Sequence, residues 1–311
     1  MKTIDIIIPC KNEETNINLV YNEIMKYDKD LNQVTNTDLN FIFIDDGSND
    51  NTSNVIKELS SKVGNVKYII FSKNFGKEPA IYAGLSKSDA DYVVIMDSDM
   101  QDPPSLIIDM YKAVINENYY ACGTRRTNRK GEPIIRSIFS KLFYFIINKL
   151  SNINIPDGMR DFCLMNKNFK NSILMFKEKN RFFKGMFCNV GYKIKWFEYD
   201  NILRSSGMSS WSFISLVKYA LSAIMSFSNV PLLISSIFGI VFCFISIIAM
   251  LFIVIRALMF GDRVVGWPSL VSIILFLSGL QFLFIGMIGL YVSKNYFEIK
   301  NRPLYLIMEE K

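Results

Sequence analysis

The chain contains no histidine among its 311 residues. This absence excludes a histidine general base, a Ser-His-Asp triad and any metal site held by imidazole. Acid–base chemistry would therefore fall to carboxylates, lysine, tyrosine, cysteine or the substrate itself.

Cysteine is also scarce, and its spacing lacks the pattern of a metal site. No two cysteines form a Cys-x-x-Cys pair, which argues against a zinc site and a disulfide framework and favours a reducing compartment. The five cysteines are Cys10, Cys122, Cys163, Cys188 and Cys243.

The net charge of +6 is modest, and the sequence contains no dense basic stripe. This pattern favours a protein at a membrane surface over a nucleic-acid binder. We expect no secretory signal peptide, because the first apolar run, residues 4–8, is short and contains Asp5.

Short apolar runs alternate with helical patterns over the first hundred residues. This alternation predicts a parallel α/β sheet with helices on both faces. The predicted strands cover residues 3–9, 41–44, 66–71 and 92–96, and the predicted helices cover residues 16–26, 52–61 and 76–85.

The last eighty residues contain two long segments without a charged residue, 232–255 and 264–292. Each is long enough to cross a bilayer, which needs about 20 apolar residues; a buried core hairpin is the alternative.

Residues 136–150 mix aromatic and basic side chains, which is typical of an interfacial helix or of a core helix. We therefore expect a catalytic domain at 1–210, an interfacial helix at 211–230 and a membrane anchor with a tail at 231–311.

Acidic residues follow two of the predicted strands. Asp45 and Asp46 end the second strand, and Asp97, Asp99 and Asp102 follow the fourth. Open α/β sheets bind ligands at the carboxyl ends of their strands, and such oxygen ligands suit a hard divalent cation that carries phosphate. Either group alone is also typical of a turn or a helix N-cap; their joint occurrence favours a site.

These residues belong to an ordered series of motifs that resembles the family 2 glycosyltransferases of GT-A fold. More narrowly, the chain resembles the polyprenyl-phosphate glycosyltransferases, the group of dolichol-phosphate mannose synthase and the bactoprenol glucosyltransferases. The motifs lie at residues 7–14, 45–50, 97–104, 160–165, 180–185, 204–212 and 286–305. Cys163, Ser210 and Leu290 depart from the residues that members often carry.

The resemblance implies a role for each matching residue. The nucleotide sugar would contact Pro9, Asn12, Glu14, Asp45, Asp46 and Asp97. Mg²⁺ or Mn²⁺ would be held by Asp97 and Asp99, with Gln101 as a further ligand or a partner of the ligands. The acceptor phosphate would contact Arg125, Arg136, Ser140 and Arg204. Asp161 matches the catalytic carboxylate, alongside Asp99, and would either remove a proton or orient the acceptor.

The expected reaction is inverting, metal-dependent transfer of a hexose, with a UDP-sugar favoured, to undecaprenyl phosphate or a similar lipid phosphate. We expect a multi-pass protein of the cytoplasmic membrane whose catalytic domain faces the cytoplasm. Small residues in the apolar segments would permit helix contacts in a homo-oligomer. The alternatives are an enzyme that acts on a polysaccharide acceptor and a membrane scaffold without activity.

Overall fold

The described part of the chain forms one eight-stranded sheet, helices on both of its faces and two long C-terminal helices. The computed structural model describes residues 2–35, 37–127, 134–151, 153–200, 228, 230–260 and 266–311. The strands are β1 Lys2–Cys10, β2 Thr37–Asp45, β3 Val66–Phe71, β4 Tyr92–Ile95, β5 Ala121–Arg126, β6 Met159–Asn166, β7 Ile194–Tyr199 and β8 Ile307–Glu310. The helices are α1 Ile17–Met25, α2 Asp28–Thr35, α3 Thr52–Lys62, α4 Lys77–Lys87, α5 Leu106–Asn116, α6 Ile134–Leu150, α7 Lys167–Met175, α8 Phe183–Asn189, α9 Val230–Phe260 and α10 Trp267–Ile299.

The sheet is mixed but mostly parallel, as the sequence predicts. Its order is β7-β5-β6-β4-β1-β2-β3-β8, and β1, β2, β3 and β4 run parallel to their neighbours in the centre. The exceptions are β6, which runs antiparallel to β4 and β5, and β8, which runs antiparallel to β3. The four strands predicted from apolar runs are all present.

The core has two halves, one on each face of the sheet. Along β1, Ile4, Ile6 and Ile8 pack into one half, whereas Ile7 packs into the other. This alternation follows from the two-residue period of a strand, in which successive side chains point to opposite faces. Both faces are therefore covered, which explains why the central strands carry apolar side chains on each face.

The two C-terminal helices contain the segments predicted to span the membrane. Within the described ranges, one helical segment, Phe276–Ile299 of α10, is long and apolar enough to cross a membrane, and none of it is buried in the protein. The segment 232–255 lies in α9, and its role as a second span stays a prediction. Of the interfacial helix predicted at 211–230, only residues 228 and 230 are described.

The chain returns to the sheet after α10. The final strand, β8, pairs with β3 at the edge of the sheet, and Tyr305 stacks on Phe71 with ring centroids 4.9 Å apart. Tyr68 donates a hydrogen bond from its hydroxyl to Glu309 over 2.9 Å. The tail thus attaches the end of the apolar helix directly to the sheet domain.

Candidate active site

The two acidic motifs lie at the same edge of the sheet. Parallel pairing places Cys10 beside Asp45 and Ile7 beside Ile95, so β1, β2 and β4 end on one side. The loops that carry Asp46 and Asp97 begin there. The predicted placement of the carboxylates at the carboxyl ends of these strands is confirmed.

The loop after β1 is fastened to the loop after β2 by side chains that we assigned to the nucleotide. Asn12 donates from its backbone N–H to Ser48 Oγ over 2.9 Å, and its Oδ1 accepts from the N–H of Asn49 over 2.9 Å. Glu14 Oε2 accepts from the N–H of Asn51 over 2.9 Å. Asn12 and Glu14 therefore shape the loop, and their direct contact with a nucleotide stays a prediction.

Asp45 holds the loop after β2 in shape, and Asp46 connects that loop to the loop after β3. Asp45 Oδ1 accepts from the backbone N–H of Ser48 over 2.9 Å and from its hydroxyl over 2.6 Å. The carboxylate of Asp46 accepts from the N–H groups of Phe75 at 2.6 Å and Gly76 at 2.9 Å. Burial raises the pKa of Asp46, and these two N–H groups partly offset the effect. The loops after β1, β2 and β3 thus form one connected rim.

A cavity of about 550 Å³ opens beside this rim. Lys11, Ser48, Asn49, Lys73 and Asn74 are among the residues that line it. Its volume lies in the range of small-molecule sites, and its two lysines favour an anionic ligand. Pro9, another residue assigned to the nucleotide, is buried at the end of β1.

Lys77 connects the second acidic motif to the predicted catalytic carboxylate. Its Nζ lies 2.6 Å from Asp97 Oδ1 and also donates to Asp161 Oδ2. Lys184 Nζ lies 4.0 Å from Asp161 Oδ1. Asp97 from the loop after β4 and Asp161 from β6 therefore share one ammonium group, contributed by the first residue of α4.

This arrangement decides the protonation state of Asp161. Burial alone would raise the pKa of the carboxyl group, but the charges of Lys77 and Lys184 outweigh burial and hold the pKa well below its usual range. Conversely, burial would lower the pKa of Lys77, but Asp161 and Asp97 raise it. At neutral pH Asp161 is a carboxylate and Lys77 is an ammonium.

Arg160 is a second cation that contacts the loop after β4. We call this loop the acidic loop, because it contains Asp97, Asp99 and Asp102. It pairs with Asp97 at 3.8 Å and with Asp102 at 3.3 Å, and Asp102 also accepts a hydrogen bond from the hydroxyl of Tyr199. Gln101 Oε1 accepts from Arg126 Nη2 over 2.9 Å. The acidic loop is thus held by cations from β5 and β6.

In Asp99 the surroundings disfavour the charged form of the carboxyl group. It is buried, and burial together with the charge of Asp97 raises its pKa. A divalent cation would favour the charged form of both carboxylates. Within the described ranges no group of three His, Cys, Asp or Glu side chains forms a ready metal site. Mg²⁺ and Mn²⁺ nevertheless fit, because Mg²⁺ commonly takes one or two carboxylates and completes its shell with water and substrate phosphate.

The residues predicted to bind the acceptor phosphate are only partly described. Arg125 forms an ion pair with Glu198 between β5 and β7, and its neighbour Arg126 contacts Gln101, since adjacent strand residues point to opposite faces. Arg136 and Ser140 lie on α6, but their side chains are outside the described part of the chain. Arg204 lies outside the described residues.

Sequence reasoning missed four cations at this site: Lys77, Arg126, Arg160 and Lys184. Arg160 and Lys184 lie inside the motifs 160–165 and 180–185 that we quoted, so their positions were visible although their partners were not. Lys77 follows Gly76 at the start of α4 and had no comparable signal. Arg126 differs from the predicted Arg125 by one position along β5.

Residues 5–173 match the sequence profile described as glycosyl transferase family 2. The chain belongs to this family. It is 39% identical over 98% of its length to the CsbB protein of Bacillus subtilis (strain 168), covering 91% of that protein. It is 32% identical to the prophage bactoprenol glucosyl transferase homolog of Escherichia coli (strain K12), covering 99% of both chains. It is 33% identical to the SfII prophage-derived bactoprenol glucosyl transferase of Shigella flexneri, covering 98% of this chain and 97% of that one.

Among solved structures, this glycosyltransferase is similar to glucosyl-3-phosphoglycerate synthase from Mycobacterium tuberculosis in complex with Mn²⁺, UDP-glucose and phosphoglyceric acid. The identity is 17%, the TM-score is 0.48, and the match covers 72% of this chain and 77% of that one. Membership of the family and the mostly parallel sheet confirm the predicted fold class of the sheet domain.

Proposed function

We propose that this glycosyltransferase transfers a hexose from a nucleotide sugar to a polyprenyl phosphate at the cytoplasmic face of the membrane. The observation that carries the proposal is full-length similarity to proteins named bactoprenol glucosyl transferase, which includes the region of the two long apolar helices. The geometry supports it, because acidic and cationic side chains meet at one edge of the sheet. The same chain carries an exposed apolar helix that is long enough to cross a membrane.

The donor would occupy the cavity beside the rim formed by the loops after β1, β2 and β3. Asp46 would position the nucleotide together with Asp45, Asn12 and Glu14, and the buried Pro9 would shape the end of β1. Lys11 and Lys73, which line the cavity, would compensate the charge of a nucleoside diphosphate. We favour UDP as the nucleotide and glucose as the first sugar to test.

Asp97 and Asp99 would hold Mg²⁺ or Mn²⁺, and Gln101 would complete or orient the ligand set. The metal supplies charge stabilisation for the departing diphosphate, which gains negative charge as the glycosidic bond breaks. The chain itself contributes Lys77 and Arg160, which offset part of the negative charge of the acidic residues and hold their positions.

The acceptor would need little help in losing a proton. A phosphate monoester has a second pKa of about 6, so it is largely dianionic at neutral pH. Asp161 keeps its charge because of Lys77 and Lys184, and we therefore assign it to orienting the acceptor or the sugar rather than to proton removal. Arg125, Arg136, Ser140 and Arg204 would bind the acceptor phosphate, because arginine offers a planar fork to phosphate oxygens.

The remaining parts of the chain would hold the catalytic domain against the bilayer. We propose a catalytic domain at 1–210, an interfacial helix at 211–230 and a membrane anchor at 231–311. In this arrangement α9 and α10 both cross the membrane, which makes the protein multi-pass and leaves both chain ends in the cytoplasm.

The test is a transfer assay with the purified full-length protein in detergent. Radiolabelled nucleotide sugars are incubated with undecaprenyl phosphate and Mn²⁺, and the organic phase is counted with and without EDTA. We expect EDTA-sensitive label in the lipid fraction, strong loss in Asp99→Asn and normal transfer in Asp109→Asn, an exposed carboxylate on α5. Label only in a water-soluble polymer, or no label with any common donor, would refute the proposal.

A further inference from the structure

A second cavity, of about 320 Å³, lies where the end of α10 meets the sheet domain. Its walls come from α10, the loop that follows it, the loop before α8 and the start of α4. Lys179, Lys294, Glu298 and Arg302 contribute its charged side chains, and Phe75 and Phe297 contribute aromatic surface. Among the described residues that line the cavity, none is assigned above to the donor, the metal or the acceptor.

The charge of this cavity is positive. Among the described residues, three cationic side chains and one carboxylate line it. The carboxylate, Glu298, accepts hydrogen bonds from the backbone N–H groups of Lys179 over 2.6 Å and Asn180 over 3.3 Å, so it fastens the loop before α8 to the end of α10. The cationic side chains therefore exceed the acidic one by two, which favours an anionic ligand.

Lys179 gives the most specific evidence. Its Nζ atom is buried and has no hydrogen-bond partner among the described residues. Removing an ammonium group from water without a compensating partner is costly. Lys179 lines the cavity, so an anion bound there would become the missing partner once the side chain turned towards it.

The position of the cavity indicates which anion it would take. Lys294 and Phe297 belong to the segment of α10 that has the length and composition of a membrane span. The same helix end exposes Tyr296 and Ile299. A cation-lined cavity beside the end of an apolar helix lies where lipid headgroups would be found.

We propose that this cavity binds the phosphate group of a membrane lipid. The proposal rests on the membrane attachment included in the proposed function. It adds a contact between the bilayer and the donor site, because Phe75 lines the cavity and donates its backbone N–H to Asp46 over 2.6 Å. An occupied site would also hold the loop before α8 against α10.

The experiment is a lipid titration of the full-length protein in detergent, followed by native mass spectrometry without nucleotide sugar. The probes are dioctanoyl phosphatidylglycerol, dioctanoylglycerol, undecaprenyl phosphate and inorganic phosphate. We expect phosphatidylglycerol to bind and dioctanoylglycerol, which lacks phosphate, not to bind. Lys179→Met should weaken binding about ten-fold, the effect of losing a hydrogen bond to a charged group.

Two further variants separate a lost contact from a lost fold. Lys179→Arg keeps the charge and should bind within about two-fold of the wild type, and so should Lys177→Met, which removes an exposed lysine outside the cavity. All variants should have the same thermal midpoint in the absence of lipid. An unchanged affinity in a folded Lys179→Met protein would overturn the proposal.

The remaining probes identify the source of the phosphate. Binding of undecaprenyl phosphate alone, with the same dependence on Lys179, would support a lipid-phosphate site and identify the acceptor as its ligand. Equal affinity for inorganic phosphate would overturn the assignment to a lipid. Because binding is measured without a sugar donor, a failure here is distinguishable from a failure of the transfer assay.

Discussion

Lys77 Nζ lies 2.6 Å from Asp97 Oδ1 and also donates to Asp161, although the lysine and Asp161 are 84 positions apart in the sequence. One ammonium group thus pairs with both a carboxylate of the metal motif and the carboxylate predicted to be catalytic. This contact links the start of α4 to the loop after β4 and to β6.

The first prediction concerns the pH dependence that this contact creates. In the wild type the pKa of Asp161 is held below its ordinary value of about 4, so its charge is constant at higher pH and it adds no acidic limb to the rate profile. In Lys77→Met the cation is gone and burial raises the pKa. Protonation of the acceptor phosphate lowers transfer below about pH 6 in every variant. We expect transfer by Lys77→Met to fall more steeply than transfer by the wild type as the pH drops from 7 towards 5, and kcat/KM at neutral pH to fall at least about ten-fold.

The matched controls are Lys77→Arg and Lys87→Met. The first keeps a cation at the site, and the second removes a half-buried lysine of the same helix that pairs with Glu310 over 3.0 Å. Both should keep the wild-type profile between pH 5 and pH 7, in which the acceptor phosphate titrates and Asp161 does not. A profile for Lys77→Met that coincides with the wild type would show that Lys77 does not set the charge of Asp161.

The second prediction concerns metal binding. Asp99 is buried next to Asp97, and Asn in its place keeps the size but removes the charge that attracts a divalent cation. We expect Asp99→Asn to weaken Mn²⁺-dependent binding of UDP-glucose at least about 100-fold, as measured by isothermal titration calorimetry. EDTA should abolish the wild-type signal. Donor affinity that is the same with Mn²⁺ and with EDTA would remove the metal from the proposed function.

The central part of the fold was predictable because it depends on local pattern. The apolar runs of β1, β2, β3 and β4 are short, and three of them are followed by polar residues, so both the strands and the placement of Asp46 and Asp97 follow from the sequence. The boundaries differ by a few residues. β2 begins at Thr37 rather than at residue 41, because its pairing with β1 extends further than its apolar run.

The remaining elements depend on contacts between distant residues. β8 is a four-residue segment, Ile307–Glu310, whose strand conformation comes from pairing with β3, and its own sequence does not indicate it. The partners of Lys77, Arg160 and Lys184 arise only when α4, β6 and α8 pack at one edge of the sheet. No periodicity or spacing in the sequence encodes those distances.

The third prediction concerns Gly47, which forms the turn after Asp46. Its φ is +63°, and a Cβ at this position would lie 2.3 Å from the carbonyl carbon of Lys73. The backbone cannot easily move away, because Asp46 fixes the neighbouring loop through Phe75. We expect Gly47→Ala to destabilise the protein by about 2 kcal/mol or more and to weaken donor binding.

The control is Gly64→Ala, since a Cβ at Gly64 would meet nothing within 4 Å. Thermal unfolding of the two variants, followed by titration with UDP-glucose, tests the prediction. Gly64→Ala should stay within about 0.5 kcal/mol of the wild type. Equal stability of the two variants would mean that the loop after β2 accommodates a side chain at Gly47.

The last prediction concerns the return of the chain to the sheet after α10. β8 covers the edge of β3: Lys311 donates its N–H to the carbonyl of Tyr68 over 3.0 Å, and Glu309 pairs with Lys57. Deletion of residues 307–311 would expose the hydrogen-bonding groups of β3, and exposed strand edges promote aggregation. We expect the deletion to lower the thermal midpoint by about 5 °C and to increase aggregation on heating, measured by light scattering during the same scan.

Glu310→Gln, which removes only an exposed ion pair with Lys87, should shift the midpoint by no more than about 1 °C. If the deletion behaved like Glu310→Gln, the edge of β3 would not depend on the tail, and α10 would be joined to the sheet domain mainly through Glu298 and the loop before α8.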